Sequence, residues 1–566
     1  MFRAPRRFAG WSSYRGALAV ILLAALAIRL HSISFGLPAI TDPDELTFVL
    51  GAVRMVTGGQ LNPEWFGHPA TTTMYMLAIV AAAVLGLGLL TGRFTDFNAM
   101  IVAGYNDPGV LVLPQRIGIA LFAVLGIVLA YRLASRLFDR QTGLITAAIL
   151  ALSPVHIHYS QLIRSDMMAT TFMLATMLSA LAYSRSGEQR ALVGAAVGTA
   201  LAITTKWPFA LSFLAVLGAL VLRRRSGSIT GPQATALALM TGAGTLAVMV
   251  LISPFLLIDF QLVIANLSVE VQPHHLGATG GGLIENAWWY ASDALDRALG
   301  WLGLALALIG LWLVRRQQEV IMIVLLPAAA LFLLACSQNI VWERWVLPVV
   351  PVLAMLTAHA VVQAALALRT YRPGPLGPAI AAAAVAALLL PLLLGSLADG
   401  RERMNDTRLM ASAWLRQNAA PGSTIFVEHF AFDLVDSEFD FTFPLGAAGC
   451  KSARALISSK VDNAMVTASR KGRTNIDLGT VEPALLGTCR SDYVVLSQYS
   501  RYIAEKDRFP REAAVYQRYL EHGEKVAAFM PARGVAGGWP VVILRMSDQA
   551  NNAIAPAMAP TPPVRP

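Results

Sequence analysis

The sequence ITDPDELTFV (residues 40–49) places three carboxylates, Asp42, Asp44 and Glu45, within four positions. It follows the first long apolar run of the chain, which extends from about Gly16 to Phe35. Ionisable side chains are costly within or beside the hydrocarbon layer of a membrane, so they mark candidate functional sites there. The side of the membrane on which these acids lie therefore decides how the rest of the chain is interpreted.

Composition defines the class of protein. Of the 566 residues, 56% are hydrophobic and 14% are charged, whereas soluble domains carry about 25% charged residues. Long apolar runs recur along most of the chain, which predicts a polytopic α-helical membrane protein. The net charge of +10 is typical of Lys and Arg held in cytoplasmic loops, and no nucleic-acid partner is expected because no such motif is present.

The basic residues predict the orientation. The N-terminus MFRAPRRF is basic and is not followed by a small-residue cleavage site, so the first apolar run is expected to be a helix that enters from the cytoplasm. The acidic sequence then lies outside. The later basic clusters all fall inside if the chain crosses about eleven times, through that first helix and the runs 115–134, 142–160, 167–184, 190–205, 207–222, 233–258, 299–314, 320–337, 345–369 and 376–398.

One apolar run breaks this pattern. TTTMYMLAIVAAAVLGLGLL (71–90) is long enough to span a bilayer, but a full crossing would move every later basic cluster outside. The charges therefore predict a juxtamembrane or re-entrant helix in the first external loop, enclosed by protein or a cavity. The alternative is a return crossing through 92–113, against which the sequence GYNDPG argues.

Hydropathy falls after about residue 398. An amphipathic stretch followed by strand-like runs such as DYVVLSQY predicts an α/β domain over 399–548, and the Pro- and Ala-rich tail 549–566 is expected to be disordered. The membrane module is thus 1–398, and an odd number of crossings makes the α/β domain extracytoplasmic. Because that compartment permits disulfides, we predict a bond between Cys450 and Cys489, with Cys336 a buried free thiol.

Three polar groups are predicted at external helix ends. They are the acidic loop, the sequence SPVHIHYSQLIRSDMM (153–168) with His156, His158, Arg164 and Asp166, and Lys206 in AITTKWPFA. Each has an ordinary interpretation: a solvated acid, an interfacial histidine, a structural ion pair, or a lysine that reaches the headgroups. Their co-location favours one site, and an outward-facing carboxylate near cations suits sugar transfer from a lipid phosphate.

The motifs PDELTFV, GHPATTTMYML, LSPVHIHYSQLIRSDMM, TTKWP and WERWVLPVVP occur in that order. They resemble those of the GT-C lipid-phosphate-sugar glycosyltransferases, the group of the protein O-mannosyltransferases and the lipid A aminoarabinose transferase (glycosyltransferase family 39-like). The resemblance covers about residues 40–400. HPA (68–70) replaces paired prolines, and Trp345 replaces a common tyrosine, so the substrate stays open.

The resemblance implies roles for individual residues. Asp44 would be the catalytic base, with Glu45 beside it. The substrate-binding residues would be Asp166, Lys206, Arg164, His68 and Arg344. The external loop QPHHLGATGGG (272–282) adds His274 and His275, which could meet a phosphate, and its glycines indicate a loop that moves during donor entry and release.

The sequence therefore predicts an inverting glycosyltransferase of the cytoplasmic (inner) membrane, with its N-terminus in the cytoplasm. It would move a sugar from a polyprenyl-phosphate carrier, amid membrane lipids, to an envelope lipid, polysaccharide or protein on the external face. No cofactor is expected; a divalent cation on Asp42 and Asp44 is the alternative, although the resemblance favours metal-independent catalysis. A transporter or lipid flippase is disfavoured because no internal repeat is found, and a non-catalytic assembly protein would leave the site unexplained. Sugar, acceptor and oligomeric state stay open.

Overall fold

The computed structural model describes residues 11–270, 275–371, 375–429, 432–434, 437–454 and 476–554. A helical module comes first, and a domain built on a six-stranded sheet follows it. The helices of the module are α1 Trp11–Leu30, α2 Pro43–Gly58, α3 Thr71–Leu90, α4 Phe97–Asn106, α5 Gly109–Leu137, α6 Arg140–Leu152, α7 Pro154–Ser160, α8 Asp166–Ser186, α9 Gln189–Thr205, α10 Leu214–Arg225, α11 Gly231–Ile252, α12 Phe255–Ile258, α13 Phe260–Glu270, α14 Leu283–Trp289, α15 Asp296–Val314, α16 Leu326–Cys336, α17 Val350–Tyr371 and α18 Leu376–Met404.

Apolar helices long enough to cross a membrane dominate this module. Within the described residues there are eight such helices, or up to nine if the bent pair α6 and α7 is one span. Three of the eleven predicted crossings, which correspond to α1, α9 and Val320–Cys336, are not in this set. Helix α3 is in the set by length and composition, so its predicted failure to cross stays a prediction.

The centre of the bundle is formed by α8 and α17. Two thirds of their apolar windows are buried inside the protein, at 67% each, whereas only 11% of α11 and 17% of α18 are buried. A helix that exposes large apolar side chains to its surroundings needs an apolar solvent. The outer helices therefore present the lipid-facing surface of a membrane protein.

A buried arginine stabilises the break between α6 and α7, which are bent by 63°. Arg29 of α1 donates to the carbonyl oxygens of Leu150 and Ala151 at 3.0 and 3.2 Å, and its Nη2 lies 2.7 Å from His156 Nδ1. Carbonyls at the end of a helix lack intrahelical partners and carry partial negative charge. His156 is therefore engaged inside the bundle by Arg29.

The last helix of the module continues beyond its apolar run. The sequence predicts a boundary at residue 398, but α18 ends at Met404. Asp399 and Arg403, on the charged final turns, form ion pairs with each other, and Asp399 also pairs with His158. Polar residues anchored in this way extend a helix beyond the membrane without requiring apolar contacts.

The C-terminal domain begins with α19 Thr407–Asn418. Its other elements are β1 Thr424–Val427, β2 Asp440–Pro444, β3 Cys450–Ser452, β4 Tyr493–Leu496, α20 Tyr499–Ala504, α21 Pro510–His522, β5 Glu524–Phe529, β6 Val541–Arg545 and α22 Asp548–Ile554. The strand order is β3-β2-β1-β4-β6-β5, and β2, β1 and β4 are parallel. This is the α/β domain that the sequence predicts.

Both faces of this sheet are covered. Alternate residues of β1 and β4 point to opposite sides, so that Phe426 and Val494 pack with α21 while Ile425 and Val495 pack with α19. A disulfide joins Cys450 and Cys489 with a Cα–Cα distance of 4.9 Å, and Cys336 is a buried free cysteine. Part of the chain closed by the disulfide, residues 455–475, and most of the predicted tail, 555–566, lie outside the described residues.

Candidate active site

The acidic sequence forms the start of α2. Asp42 has an extended backbone and accepts a hydrogen bond from Asp44 N at 3.1 Å, and Pro43 occupies the first helical position, as both residue types prefer. Arg164 Nη2 donates to the two oxygens of Asp42 at 2.8 Å each, and its Nη1 lies 2.5 Å from Asp44 Oδ2. The cap and the arginine together fix the direction of the Asp44 side chain.

Asp44 keeps one oxygen open. Its side chain is 53% exposed, and within the described residues Oδ1 accepts no hydrogen bond. Burial of the carboxyl raises the pKa of Asp44, but the charges of Arg164 and Arg344 lower it by more, so the net pKa is below the ordinary value. Asp44 is therefore ionised at neutral pH and accessible to a hydroxyl group.

Glu45 has a different environment. Its side chain is fully buried, and Arg116 donates to Oε1 at 2.9 Å and to Oε2 at 2.6 Å. Ile163 N also donates to Oε1 at 3.0 Å. Both oxygens are occupied, and through these contacts Glu45 holds α2 against α5 and the segment that leads to Arg164; the catalytic role that the sequence predicts for Glu45 stays a prediction.

A second ion pair joins the start of α8 to the residue that follows α9. Asp166 begins α8 and Lys206 follows α9, and Lys206 Nζ lies 2.5 Å from Asp166 Oδ1 with both side chains less than 10% exposed. The buried Asp166 Oδ2 has no hydrogen-bond partner in the described part of the chain. Lys206 also forms a backbone bridge with Pro69, so the loop after α2 meets the ends of α8 and α9 here.

His68 lies near both ion pairs, because the charges of Lys206, Asp166 and Arg164 act on its ring. Its ring contacts Trp65, with centroids 5.1 Å apart, and Ser165 Oγ lies 3.4 Å from its Nδ1. Burial, followed by the charge of Lys206, lowers the pKa of His68 to about 3. The imidazole is therefore neutral at physiological pH and offers one donor and one acceptor.

Arg344 approaches from the turn Glu343–Val346. Its guanidinium lies 4.5 Å from the Trp342 ring centroid, and its charge acts on both Asp44 and Asp166. Burial, then the charge of Arg164, lowers the pKa of Arg344 from its usual value. Among the described residues Arg344 has no ion-pair partner, and its buried Nε has no acceptor. Arg344 is thus a cation with unused hydrogen-bond donors beside Asp44.

The loop after α13 contributes His275. Its ring packs edge-on against Trp342 at 4.9 Å, and its Nδ1 lies 3.1 Å from Leu276 O. Burial lowers the pKa of His275. His275 therefore reaches the ring that supports Arg344, whereas His274 lies outside the described residues.

Sequence reasoning missed Glu270, the last residue of α13. It has no hydrogen bond or ion pair in the part of the chain that the structure describes, and burial, then the charge of Asp44, raises its pKa. A side chain at Gly67 would place its Cβ 2.6 Å from Glu270 Oε1, so this glycine permits the approach. The only signal in the sequence is an acid directly before the loop that contains His274 and His275.

The acidic residues Asp42 and Asp44 are also candidate ligands of a divalent cation from the sequence. Across the described ranges, no group of three or more His, Cys, Asp or Glu side chains could hold one. Arg164 occupies the position between Asp42 and Asp44 that a bridging cation would need. A divalent cation at Asp42 and Asp44 would have to share these carboxylates with Arg164, and it stays an alternative.

Comparison with known proteins shows the fold. Residues 109–258 match the family model of dolichyl-phosphate-mannose-protein mannosyltransferase, a segment that contains Asp166 and Lys206 but neither Asp44 nor Arg344. No curated protein matches the sequence.

Two solved proteins share nearly the whole architecture. ArnT from Cupriavidus metallidurans in the apo state is 14% identical and has a TM-score of 0.53, covering 95% of this chain and 99% of its own. ArnT bound to undecaprenyl phosphate has a TM-score of 0.50 at 14% identity, with 96% and 99% covered. The archaeal oligosaccharyltransferase AglB from Archaeoglobus fulgidus, in complex with an inhibitory peptide and a dolichol-phosphate, has a TM-score of 0.50 at 13% identity, with 97% and 78% covered.

These likenesses extend over the helical module and the sheet domain, whereas the sequence motifs cover about residues 40–400. The chain is therefore a multi-pass membrane protein with the GT-C glycosyltransferase fold and a C-terminal sheet domain.

Proposed function

We propose that this protein is a membrane glycosyltransferase that moves a sugar from a polyprenyl-phosphate carrier to an acceptor hydroxyl on the external face of the membrane. The observation that carries the proposal is the proximity of an ionised, accessible Asp44 to Arg344, which has no ion-pair partner among the described residues and whose Nε has no acceptor. The other charges at the centre, Arg164 with Asp42 and Lys206 with Asp166, already neutralise one another.

The chemistry follows from this pairing. Asp44 takes the proton of the acceptor hydroxyl as general base, and the acceptor oxygen attacks C1 of the sugar. The bond from C1 to the phosphate oxygen breaks, and the phosphate leaves with the bonding electrons. Arg344 stabilises the developing negative charge because a guanidinium binds phosphate oxygens with two parallel hydrogen bonds. A single displacement of this kind inverts the configuration at C1.

The sequence interpretation gives Lys206 to the donor phosphate. The Lys206 side chain is 8% exposed, and its ammonium is already paired with Asp166 at 2.5 Å. We therefore assign Arg344 the direct phosphate contact and Lys206 a supporting charge beneath it. The buried Asp166 Oδ2 has no hydrogen-bond partner among the described residues, and it would have to become accessible to accept a hydrogen bond from the sugar.

The lipid carrier is supported by the related folds. The ArnT structure named above binds undecaprenyl phosphate and the AglB structure binds dolichol-phosphate. An active site at the end of apolar helices suits a substrate whose tail lies in the bilayer and whose phosphate lies at its surface. Cytoplasmic placement of the arginine clusters at 132–140, 185–190 and 223–225 puts that surface on the external side.

The test is sugar transfer by purified protein from a panel of radiolabelled undecaprenyl-phosphate sugars, without ATP. Asp44→Asn keeps the shape of the side chain and removes the base, so the rate should fall by about 10²- to 10⁴-fold. Glu64→Gln, an exposed acid of the same external loop, should leave it unchanged. Near wild-type transfer by Asp44→Asn would show that Asp44 is not the base.

The same assay examines the metal. Because Arg164 already engages Asp42 and Asp44, EDTA should leave transfer unchanged; a loss that Mn²⁺ or Mg²⁺ restores would assign a divalent cation to the reaction. Mass spectrometry of envelope glycans from a deletion strain would identify the sugar and the acceptor. A transporter or flippase would give no transfer in any of these arms.

A further inference from the structure

The C-terminal domain (the soluble domain, from Thr407 to Ile554) contacts the segment just before α2, the helix whose first turn contains Asp44. Arg408 of α19 donates from Nη1 to Thr41 O at 2.8 Å, and Thr41 directly precedes Asp42. The same guanidinium donates to both oxygens of Asp406, at 2.8 and 2.7 Å, and is 6% exposed. Because Asp406 fixes the plane of the guanidinium, its remaining edge holds Thr41 in one place.

The soluble domain also contacts the loop that leads to Arg344. Arg501 of α20 donates to Leu276 O, and Gly277 N donates to Glu505 Oε1 at 2.6 Å. Leu276 is 4% exposed and packs in the core of the soluble domain. Gly277 has a φ of +73°, and a Cβ there would lie 2.3 Å from Arg501 Nη2, so only glycine permits this contact.

The loop that contains Leu276 and Gly277 also pairs with the segment before Arg344. Ala278 O accepts from Val341 N at 2.8 Å, and Gly280 N donates to Asn339 O at 2.7 Å. Val341 directly precedes Trp342, the ring on which Arg344 lies. The position of Arg344 is therefore linked through a short backbone pairing to Leu276 and the soluble domain.

The two arginines that make these contacts, Arg408 and Arg501, both lie against the ring of Trp539. The guanidinium carbon of Arg408 lies 5.2 Å, and that of Arg501 4.8 Å, from the ring centroid of Trp539. These distances are in the range of cation–π attraction. Trp539 O accepts from Thr407 Oγ1 at 2.6 Å, which fixes the residue to the start of α19.

We propose that Arg408, Trp539 and Arg501 form a positioning unit through which the soluble domain sets the distance between Asp44 and Arg344. None of the three is proposed to touch substrate. The inference rests on the proposed function, in which Asp44 is the base and Arg344 binds the phosphate. A misplacement of about 1 Å between such groups can cost roughly 10²-fold in rate.

Two variants test the unit independently. Arg408→Lys keeps the charge, but an ammonium cannot hold Asp406 and Thr41 through one rigid fork. Trp539→Leu removes the ring and leaves both arginines in place, whereas Trp539→Phe keeps an aromatic face. The matched control is Arg416→Lys, which lies on the same helix and contacts Asp433 within the soluble domain.

The first readout is hydrogen exchange of the full-length protein in detergent. Arg408→Lys should speed exchange in residues 36–46, Trp539→Leu should speed it in both 36–46 and 275–280, and the exchange of β1 and β4 should match that of the Arg416→Lys control. Trp539→Phe should exchange as slowly as wild type in both segments. Unchanged exchange in both segments for Arg408→Lys and Trp539→Leu overturns the inference, whatever the activity of the protein.

The second readout is kinetic. In the transfer assay, kcat of Arg408→Lys and Trp539→Leu should fall by about 10- to 100-fold, with the donor KM within about threefold of wild type. Wild-type kcat in both variants overturns the positioning role. Faster exchange in a protein that transfers no sugar would instead refute the proposed function and leave the structural link intact.

Discussion

At the scale of single residues, two of the cations at the site, Lys206 and Arg344, differ in what they already bind. Lys206 is neutralised by Asp166, whereas Arg344 has no ion-pair partner among the described residues. A cation that already has an anionic partner attracts an incoming phosphate less strongly, because the partner's negative charge repels the phosphate. This difference predicts which substitution removes phosphate stabilisation directly.

Arg344→Ala should lower kcat/KM by about 10²- to 10³-fold, the effect of losing a hydrogen-bond donor to a developing anion. Arg344→Lys keeps the charge but not the two-pronged geometry, so it should recover part of the loss. Steady-state transfer with varied donor concentration measures both. Arg54→Ala, which removes an exposed arginine of α2, is the control. Equal activity of Arg344→Ala and this control would remove Arg344 from the site.

A buried carboxyl in the soluble domain gives a pH dependence. Burial, followed by the charge of Glu428, raises the pKa of Asp477 from 3.8 to about 7. A carboxyl with a raised pKa stabilises the folded state fully below its unfolded pKa, and this stability is lost as pH rises toward the folded pKa. A shift of about three units corresponds to about 4 kcal/mol, lost between about pH 4 and pH 7.

We therefore expect a higher unfolding temperature for the soluble domain at pH 5 than at pH 7.5. Asp477→Asn mimics the protonated carboxyl, can still accept from Thr480 N, and should make that difference smaller. Scanning fluorimetry of the two proteins at both pH values measures this. The control is Asp492→Asn, at the exposed residue directly before β4. If Asp477→Asn and wild type show the same change of unfolding temperature with pH, Asp477 is not the cause of that change.

At the scale of elements, sequence patterns located the helices and the charged helix ends but not all of their contacts. Apolar runs are local, so α8 begins close to the predicted run 167–184, whereas the stretch that the sequence predicts to be an acidic loop forms the start of α2. The pairing of Glu45 with Arg116 joins residues 71 apart, and that of Arg408 with Thr41 joins residues 367 apart. Nothing local in the sequence distinguishes Glu45, which is buried against an arginine, from Asp44, which is open.

Helix α3 is the element on which the orientation depends. It ends at Leu90, and an exposed turn leads to α4, which begins at Phe97. If α3 does not cross, Thr95 in that turn lies outside. Thr95→Cys in a Cys336→Ala background should then react with an impermeant thiol reagent added to intact cells, since Cys450 and Cys489 are joined. A cysteine at Ser226, in the predicted cytoplasmic arginine loop, should react only after permeabilisation.

The opposite labelling pattern would reverse the predicted membrane orientation of every segment after α3. Thr95→Cys that reacts only after permeabilisation would mean that α3 crosses. The sheet domain and the arginine clusters would then need another crossing to reach the sides proposed for them. The length and apolar composition of α3 are compatible with either result, so labelling is the direct measurement.

At the scale of the whole molecule, the sequence predicted two parts on either side of a boundary near residue 400, and the structure links them at the site. Hydropathy separates a membrane module from a soluble domain because burial in lipid and burial in a protein core require different compositions. It cannot show that Leu276, from a membrane-module loop, belongs to the core of the soluble domain. Such a contact arises only when both parts have folded.

The disulfide stabilises that shared core. Cys450 and Cys489 are 39 residues apart, and both pack in the cluster that includes Leu276. In the chain-entropy model, closing a loop of this length contributes about 4 kcal/mol. A domain of roughly 150–250 residues shifts its melting temperature by about 2–4 °C per kcal/mol. The Cys450→Ser/Cys489→Ser variant should therefore unfold roughly 10 °C below wild type.

The same bond reports the compartment, because a cytoplasmic domain would keep both thiols reduced. Protein purified without reductant should show no reactive thiol at either position, and reductant should lower the unfolding temperature of wild type toward that of the double serine variant. Reductant should leave the double variant itself unchanged, which separates loss of this bond from other effects of reduction. Stoichiometric alkylation of Cys450 and Cys489 in unreduced protein would contradict both the bond and the external location of the domain.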